Sequence, residues 1–309
     1  MSVLLLSHPA CLDHDAGSGH PECPDRLRAV LRALEHPDFL PLLREEAPRA
    51  TVEQLCRVHP PAYVEAILAT RPEPGHRVAL DPDTWMSAGS AEAALRAAGA
   101  AVRAVEAVAA GHARRAFCAT RPPGHHAEPS LPMGFCLFAH AAIAVRHAQA
   151  AQGIARVAVL DFDVHHGNGT QAVFERDASV LFLSSHQSPC YPGTGAASER
   201  GVGNIVNAPL PPGADGAAFR AAWAGTLLPA LDAFGPGMII VSAGFDAHAA
   251  DPLAQLRLRE ADFAWITDEI CAAADRICGG RVVSLLEGGY DLDALAASAA
   301  VHLRRLMGP

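Results

Sequence analysis

Short apolar runs alternate with longer amphipathic stretches along this chain. The runs cover residues 3–6, 116–119, 157–160, 180–183, 238–241 and 282–286, and most are built from Val, Ile, Leu or Phe. Each is too short for a helix, and runs of this length without a polar face fit strands buried on both sides. Between them lie helical patterns over residues 24–35, 90–110, 139–152, 217–233, 260–278 and 291–306. The first opens on Pro24 with Asp25 in its first turn, and the second is alanine-rich and stops at Gly111. Both are ordinary helix boundaries. The alternation predicts an α/β fold with a single central, mostly parallel sheet and helices on both faces. No Ser/Gly linker or internal repeat divides the chain, and the proline-rich stretch 71–82 reads as a surface loop.

Open parallel sheets bind ligands beyond the carboxyl ends of their strands. The residues just past these apolar runs are chemically unusual. Thr120-Arg-Pro-Pro-Gly-His-His126 comes after the second run, and Asp161-Phe-Asp-Val-His-His-Gly-Asn-Gly169 after the third. Ser184-Ser-His186, Ser242-Ala-Gly-Phe-Asp246 and Glu287-Gly-Gly-Tyr290 come after the remaining three. Five strand ends would thus bring His, Asp, Ser and Tyr to one edge.

Asp163 and His165 stand two residues apart at one strand end, where period-two alternation sends both side chains the same way. A carboxylate and an imidazole so placed make two ligands of a divalent cation, and Asp246 makes a third. Such a set leaves coordination positions open, as catalysis requires. With no thiolate among the ligands, zinc and ferrous iron are both compatible. An isolated Asp-x-His would read as a cap and a packed histidine; the neighbouring strand ends favour the metal. His125 and His126 come directly after a rigid Pro-Pro-Gly turn, and an imidazole titrating near neutral pH suits a general base. Asp161 and Asn168 can orient them as acceptors. Tyr290 comes after two glycines and can offer its phenol to a developing oxyanion.

Composition narrows the class. Half of the 309 residues are hydrophobic and 18% are charged, which supports a sizeable core and excludes a highly charged, disordered chain. The net charge is −9, all 24 cations are arginine, and there is no lysine. A nucleic-acid partner is not expected, because phosphate binding needs clustered positive charge. No membrane partner is expected either. The opening run lacks the charged lead of a secretory signal and reads as the first buried strand. The eight cysteines, at 11, 23, 56, 118, 136, 190, 271 and 278, form no C-x-x-C pair. They are expected to be reduced packing thiols of a cytoplasmic protein.

Five spaced motifs now stand together: Arg121-Pro-Pro-Gly-His-His-Ala, Asp161-Phe-Asp-Val-His-His-Gly-Asn-Gly-Thr-Gln, Tyr191-Pro-Gly-Thr-Gly, Ser242-Ala-Gly-Phe-Asp-Ala-His and Glu287-Gly-Gly-Tyr. In this order they resemble the zinc-dependent histone deacetylase family, closest to its class II branch and bacterial deacetylase-like amidohydrolases. His20-Pro-Glu-Cys-Pro-Asp-Arg26 is similar to that branch as well. The resemblance runs from about residue 8 to residue 302. It implies the arginase-like α/β fold and a single catalytic domain over residues 1–309. It implies zinc on Asp163, His165 and Asp246. It makes His126, paired with Asn168, the general base, and His125, beside Asp161, the electrostatic or general-acid partner. Tyr290 would polarise the acyl carbonyl. Phe135 and Tyr191 would wall a narrow channel, Arg26 would line an internal product channel, and Asp83 would grip the substrate backbone. A structural potassium ion would use Asp161, Asp163, His165, Ser184 and Ser185.

The activity implied is metal-assisted amide hydrolysis on acyl-lysine in proteins or peptides, or on acetylated polyamines. Polyamine-selective relatives can place a glutamate near the metal-site Asp-Pro; here Asp251-Pro is followed by Leu253. This favours acyl-lysine, while Glu73, Asp81 and Asp83 keep the polyamine reading open. A zinc-binding recognition module with little activity is less favoured, because Tyr290 and His126 are both present. A two-metal arginase site is not expected, because position 248 is His.

Overall fold

The structure is a computed structural model that describes residues 2–308. Its strands are β1 (Val3–Ser7), β2 (Leu43–Glu46), β3 (Val78–Ala79), β4 (Trp85–Met86) and β5 (Arg115–Cys118). They continue with β6 (Val157–Asp161), β7 (Val180–Gln187), β8 (Ile205–Leu210), β9 (Met238–Ala243) and β10 (Val282–Leu286). Eight of them form a single sheet in the order β2-β1-β5-β10-β9-β6-β7-β8. Every neighbouring pair in it is parallel. β3, inside the expected surface loop, and β4, just beyond it, pair as a small antiparallel hairpin.

Alternation along each strand explains why these runs carry no polar face. Leu5, Phe117, Leu160 and Val241 point into one apolar layer, under helices Pro24–Ala33, Glu260–Ile277 and Leu292–Met307. Leu4, Ala116, Val159 and Ile240 point into the other, under Ser90–Ala109 and His140–Gln152. The alanines of Ser90–Ala109 let that helix lie close to the sheet, and it ends at Ala110 before Gly111 at φ 74°. Among the described residues no helix is long and apolar enough to cross a membrane.

All six expected strands are present. The two edge strands β2 and β8 were not expected. β2 is four exposed residues, Leu-Arg-Glu-Glu, and β8 carries Pro209, which a sheet tolerates at an edge. The helix expected over 217–233 is broken into Gly216–Ala222, a widened π-turn at Trp223–Leu227 and Leu228–Phe234. Pro229 has no N–H to continue the ladder, and Trp223 at the break is fully buried, its Nε1 donating to Ser185 Oγ at 2.9 Å.

The N-terminal loop is latched by charge. Glu22 is fully buried and accepts from Arg26 Nη1 at 3.0 Å and from Arg121 Nη2 at 2.7 Å, with His14 Nε2 at 3.2 Å. Burial opposes its ionisation, but Arg121 and His14 hold the carboxyl well below the usual range. Glu22→Ala would strand two buried guanidiniums and is expected to cost about 3–5 kcal/mol of unfolding free energy in urea titration. A loss below about 1 kcal/mol, the worth of an exposed pair, would contradict the latch.

Candidate active site

The consecutive strands β5, β10, β9, β6 and β7 end side by side, and the loops leaving them meet over the sheet edge. Asp161 is the last residue of β6; Asp163 and His165 lie in the bend beyond it. Strand alternation therefore does not align that pair. The bend does, through the His165 N–H donating to Asp163 Oδ1 at 2.9 Å and the Asp163 N–H donating to Asp161 Oδ1 at 3.1 Å. Asp246 lies just past β9 and accepts from the Val164 N–H at 2.9 Å.

Asp163, His165 and Asp246 are buried, with ligand atoms all within 4.8 Å of one another. His165 Nδ1 lies 3.1 Å from both Asp163 Oδ1 and Asp246 Oδ2. Burial opposes ionisation of Asp163, but His125 and His165 outweigh it and hold its carboxyl well below the ordinary value. Burial, and next the Asp163 charge, push Asp246 up to about 7. Two such carboxylates with an imidazole nitrogen between them fit a divalent cation, whose charge would favour both acids and a neutral imidazole. Gly244 and Gly288 make room for them. A Cβ at Gly244 would collide with Asp163 Oδ2, and one at Gly288 with Asp246 Oδ2.

His125 Nδ1 donates to Asp161 Oδ2 at 2.9 Å, and His126 Nδ1 donates to Asn168 Oδ1 at 2.8 Å. Asn168 Nδ2 donates to Glu128 Oε1 at 2.9 Å, which turns its oxygen toward His126. Burial works against charge on both imidazoles. For His125, Asp163 and Asp161 overcome it and lift the ring to about 10. For His126, burial and then His125 and His165 hold it well below the usual histidine range. The two adjacent imidazoles are thus pushed in opposite directions, His125 toward its charged form and His126 toward its neutral one.

His126, His165 and Tyr290 line a cavity of about 220 Å³ with Asp83, Gly134, Phe135, Tyr191 and Leu253. The rings of Tyr191 and His126 meet edge-on at 5.1 Å, and those of Phe135 and Tyr290 at 5.9 Å. Phe135 holds φ 68°, a conformation costly for a bulky residue. Asp83 Oδ1 accepts from the Gly134 N–H at 3.1 Å and Thr84 Oγ1 from the Phe135 N–H at 3.0 Å, fixing that wall. Burial keeps the Tyr290 phenol far above its usual pKa despite the opposing Arg26 charge, so it remains an O–H donor.

The remaining expected residues lie outside the cavity lining. Arg26 sits behind Tyr290, its guanidinium carbon 4.8 Å from the ring centre, and donates to the Gly289 and Glu287 carbonyls at 2.5 Å each. Ser184 pairs with Asp161 in sheet register, its Oγ 2.9 Å from His186 Nδ1. Ser185 Oγ accepts from Trp223. Sequence reasoning did not single out Glu22 or Glu287, although each lies inside a recognised motif. It also missed Asp251, which accepts from the Tyr290 N–H at 2.7 Å, and His20, whose ring packs edge-on against Phe135 at 4.7 Å.

Residues 20–306 match the family model described as the histone deacetylase domain. The chain is 43% identical to the histone deacetylase-like amidohydrolase of Pseudomonas aeruginosa, over 89% of this chain and 73% of that one. It is 39% identical to the chloroplastic histone deacetylase 14 of Arabidopsis thaliana, over 99% of this chain and 77% of that one. The crystal structure of the HDA15 HD domain superposes with a TM-score of 0.94 at 37% identity, over 99% of this chain and 88% of that one. The chain belongs to the histone deacetylase family of hydrolases.

Proposed function

We propose that this protein, as one catalytic domain, hydrolyses the side-chain amide of acyl-lysine in proteins or peptides. The observation that carries the reading is one narrow cavity lined by His126, His165 and Tyr290 between the apolar walls of Phe135, Tyr191 and Leu253. Asp163, His165 and Asp246 would hold zinc as first choice and ferrous iron as second. When bound, the ion supplies Lewis acidity to the scissile carbonyl and to the attacking water.

His126 Nε2 takes the proton of that water, its Nδ1–H held by Asn168. Tyr290 donates its hydroxyl hydrogen bond to the oxyanion developing on the acyl carbon, an interaction typically worth about 3–4 kcal/mol. His125, held by Asp161, is the electrostatic or general-acid partner, and a protonated histidine returns the proton to the leaving amine. The aromatic walls exclude water from an aliphatic chain. Potassium is assigned to the Asp161, Asp163, His165, Ser184 and Ser185 segment, where it would brace the bend from behind. The eight unpaired thiols support a reducing compartment, the cytoplasm. Deacetylation of acetylpolyamines is the second reading, favoured by Asp83 on the cavity wall with Asp81 beside it.

Three outcomes are expected. Gly288→Ala, folded by circular dichroism, should bind zinc at least about 10-fold more weakly in calorimetry, because its Cβ displaces Asp246. Tyr290→Phe and His126→Ala should each lower kcat by about 10²–10³-fold, and wild-type turnover by either would remove the role given to it. A panel of acetyl-, longer acyl- and trifluoroacetyl-lysine peptides against acetylputrescine and acetylspermidine should favour the peptides. Faster turnover of the polyamines would replace the first reading by the second.

A further inference from the structure

One buried acid takes no direct part in the hydrolysis. Glu287 lies just past β10, the strand between β5 and β9, and is 1% exposed. Its Oε2 accepts the N–H of Gly124 at 2.7 Å and that of His125 at 3.2 Å. Its own N–H donates to the Ala243 carbonyl at 3.0 Å, and its carbonyl accepts from Arg26. The next N–H, of Gly288, donates to Asp163 Oδ2 at 2.8 Å. Among the described residues Oε1 has no hydrogen-bond partner. A buried carboxylate with one idle oxygen costs stability, so its presence asks for a reason.

The contacts supply one. Glu287 grips the β5 loop by its side chain, while its backbone carries the loop that ends in Tyr290. The His125 carbonyl accepts from the Thr170 N–H at 3.2 Å, so Glu287 and Thr170 clamp the two faces of one peptide segment. His126 is the next residue. We propose that Glu287 is a positioning residue: its carboxylate fixes Gly124 and His125, and so sets the spacing of His126 Nε2 from Tyr290 and from Asp163, His165 and Asp246. This rests on His126 acting as the base. Leucine at 287 would keep volume and offer no acceptor; glutamine would keep one oxygen for both N–H groups.

The test compares metal-reconstituted wild type, Glu287→Leu and Glu287→Gln on an acetyl-lysine peptide, with amide-proton NMR alongside. Glu287→Leu is expected to lose about 10²-fold in kcat, the cost of a misplacement near 1 Å, with KM and bound metal unchanged. Glu287→Gln should recover most of that loss. The Gly124 and His125 amide protons should lie downfield in wild type and move upfield in Glu287→Leu. Full turnover by the leucine variant, a loss carried by KM or by missing metal, no recovery with glutamine, or unmoved amide protons would each overturn the proposal. Should Glu287→Leu fail to fold, the wild-type spectrum decides, because Gly124 and His125 amide protons at unbonded positions also overturn it. Wild type that hydrolyses neither acyl-lysine nor acetylpolyamine would defeat the proposed function, while the amide protons would still decide the placement by Glu287.

Discussion

A carboxylate taken out of water must find positive charge or strong donors, and the organisation of this molecule depends on how it meets that demand. Glu22, Asp161, Asp163, Asp246 and Glu287 are each at most 1% exposed. Glu22 is answered by Arg26 and Arg121, and Asp161 by His125. Asp163 and Asp246 share the Nδ1 of His165; His125 also faces Asp163, so it is Asp246 that is left short of positive charge. Main-chain N–H groups answer half of Glu287. The unevenness marks the working end of the sheet, since a purely structural interior would pair its acids fully or do without them.

Buried parallel strands advertise themselves by apolar runs, and the residues just past them advertise the site. That is why six strands and nearly the whole candidate site were legible in the sequence. The rest was lost for identifiable reasons. β2 is held in the sheet by its neighbour, so its own exposed side chains carry no strand pattern. Pro229 and Trp223 break a helix whose apolar spacing runs straight through the break. Strand alternation pairs Asp163 with His165 correctly for a wrong local reason, because a bend and a strand both place residues i and i+2 together. Glu22 and Glu287 stayed hidden because an acid shows its value only by what surrounds it: Glu22 has Arg26 four residues on but meets Arg121 99 positions away, and Glu287 meets Gly124 163 positions away.

The cavity shows a division between walls and machinery. His125 and His126 lie early in the 119–139 connection after β5, their rings held by the side chains of Asp161 and Asn168, and Tyr290 lies in the short connection after β10. The wall residue Phe135 stands farther along the 119–139 connection, its strained backbone kept in place by the side chains of Asp83 and Thr84. Loop chemistry can vary around such a centre without disturbing it.

The position of β10 has a consequence for how this chain comes into being. It is the last strand in sequence and lies near the middle of the sheet, between β5 and β9. Until it is synthesised, β2-β1-β5 and β9-β6-β7-β8 are two separate half-sheets with no hydrogen-bonded seam. The His125–His126 pair belongs to the first half, and Asp163, His165 and Asp246 to the second. A chain that ends before β10 therefore holds Asp163, His165 and Asp246 but lacks Tyr290 and the strand that joins the two halves. Such long-range closure makes folding slow relative to a locally wired fold, and it makes the seam between the two halves, with the loop that ends in Tyr290, the last part of the sheet to be synthesised.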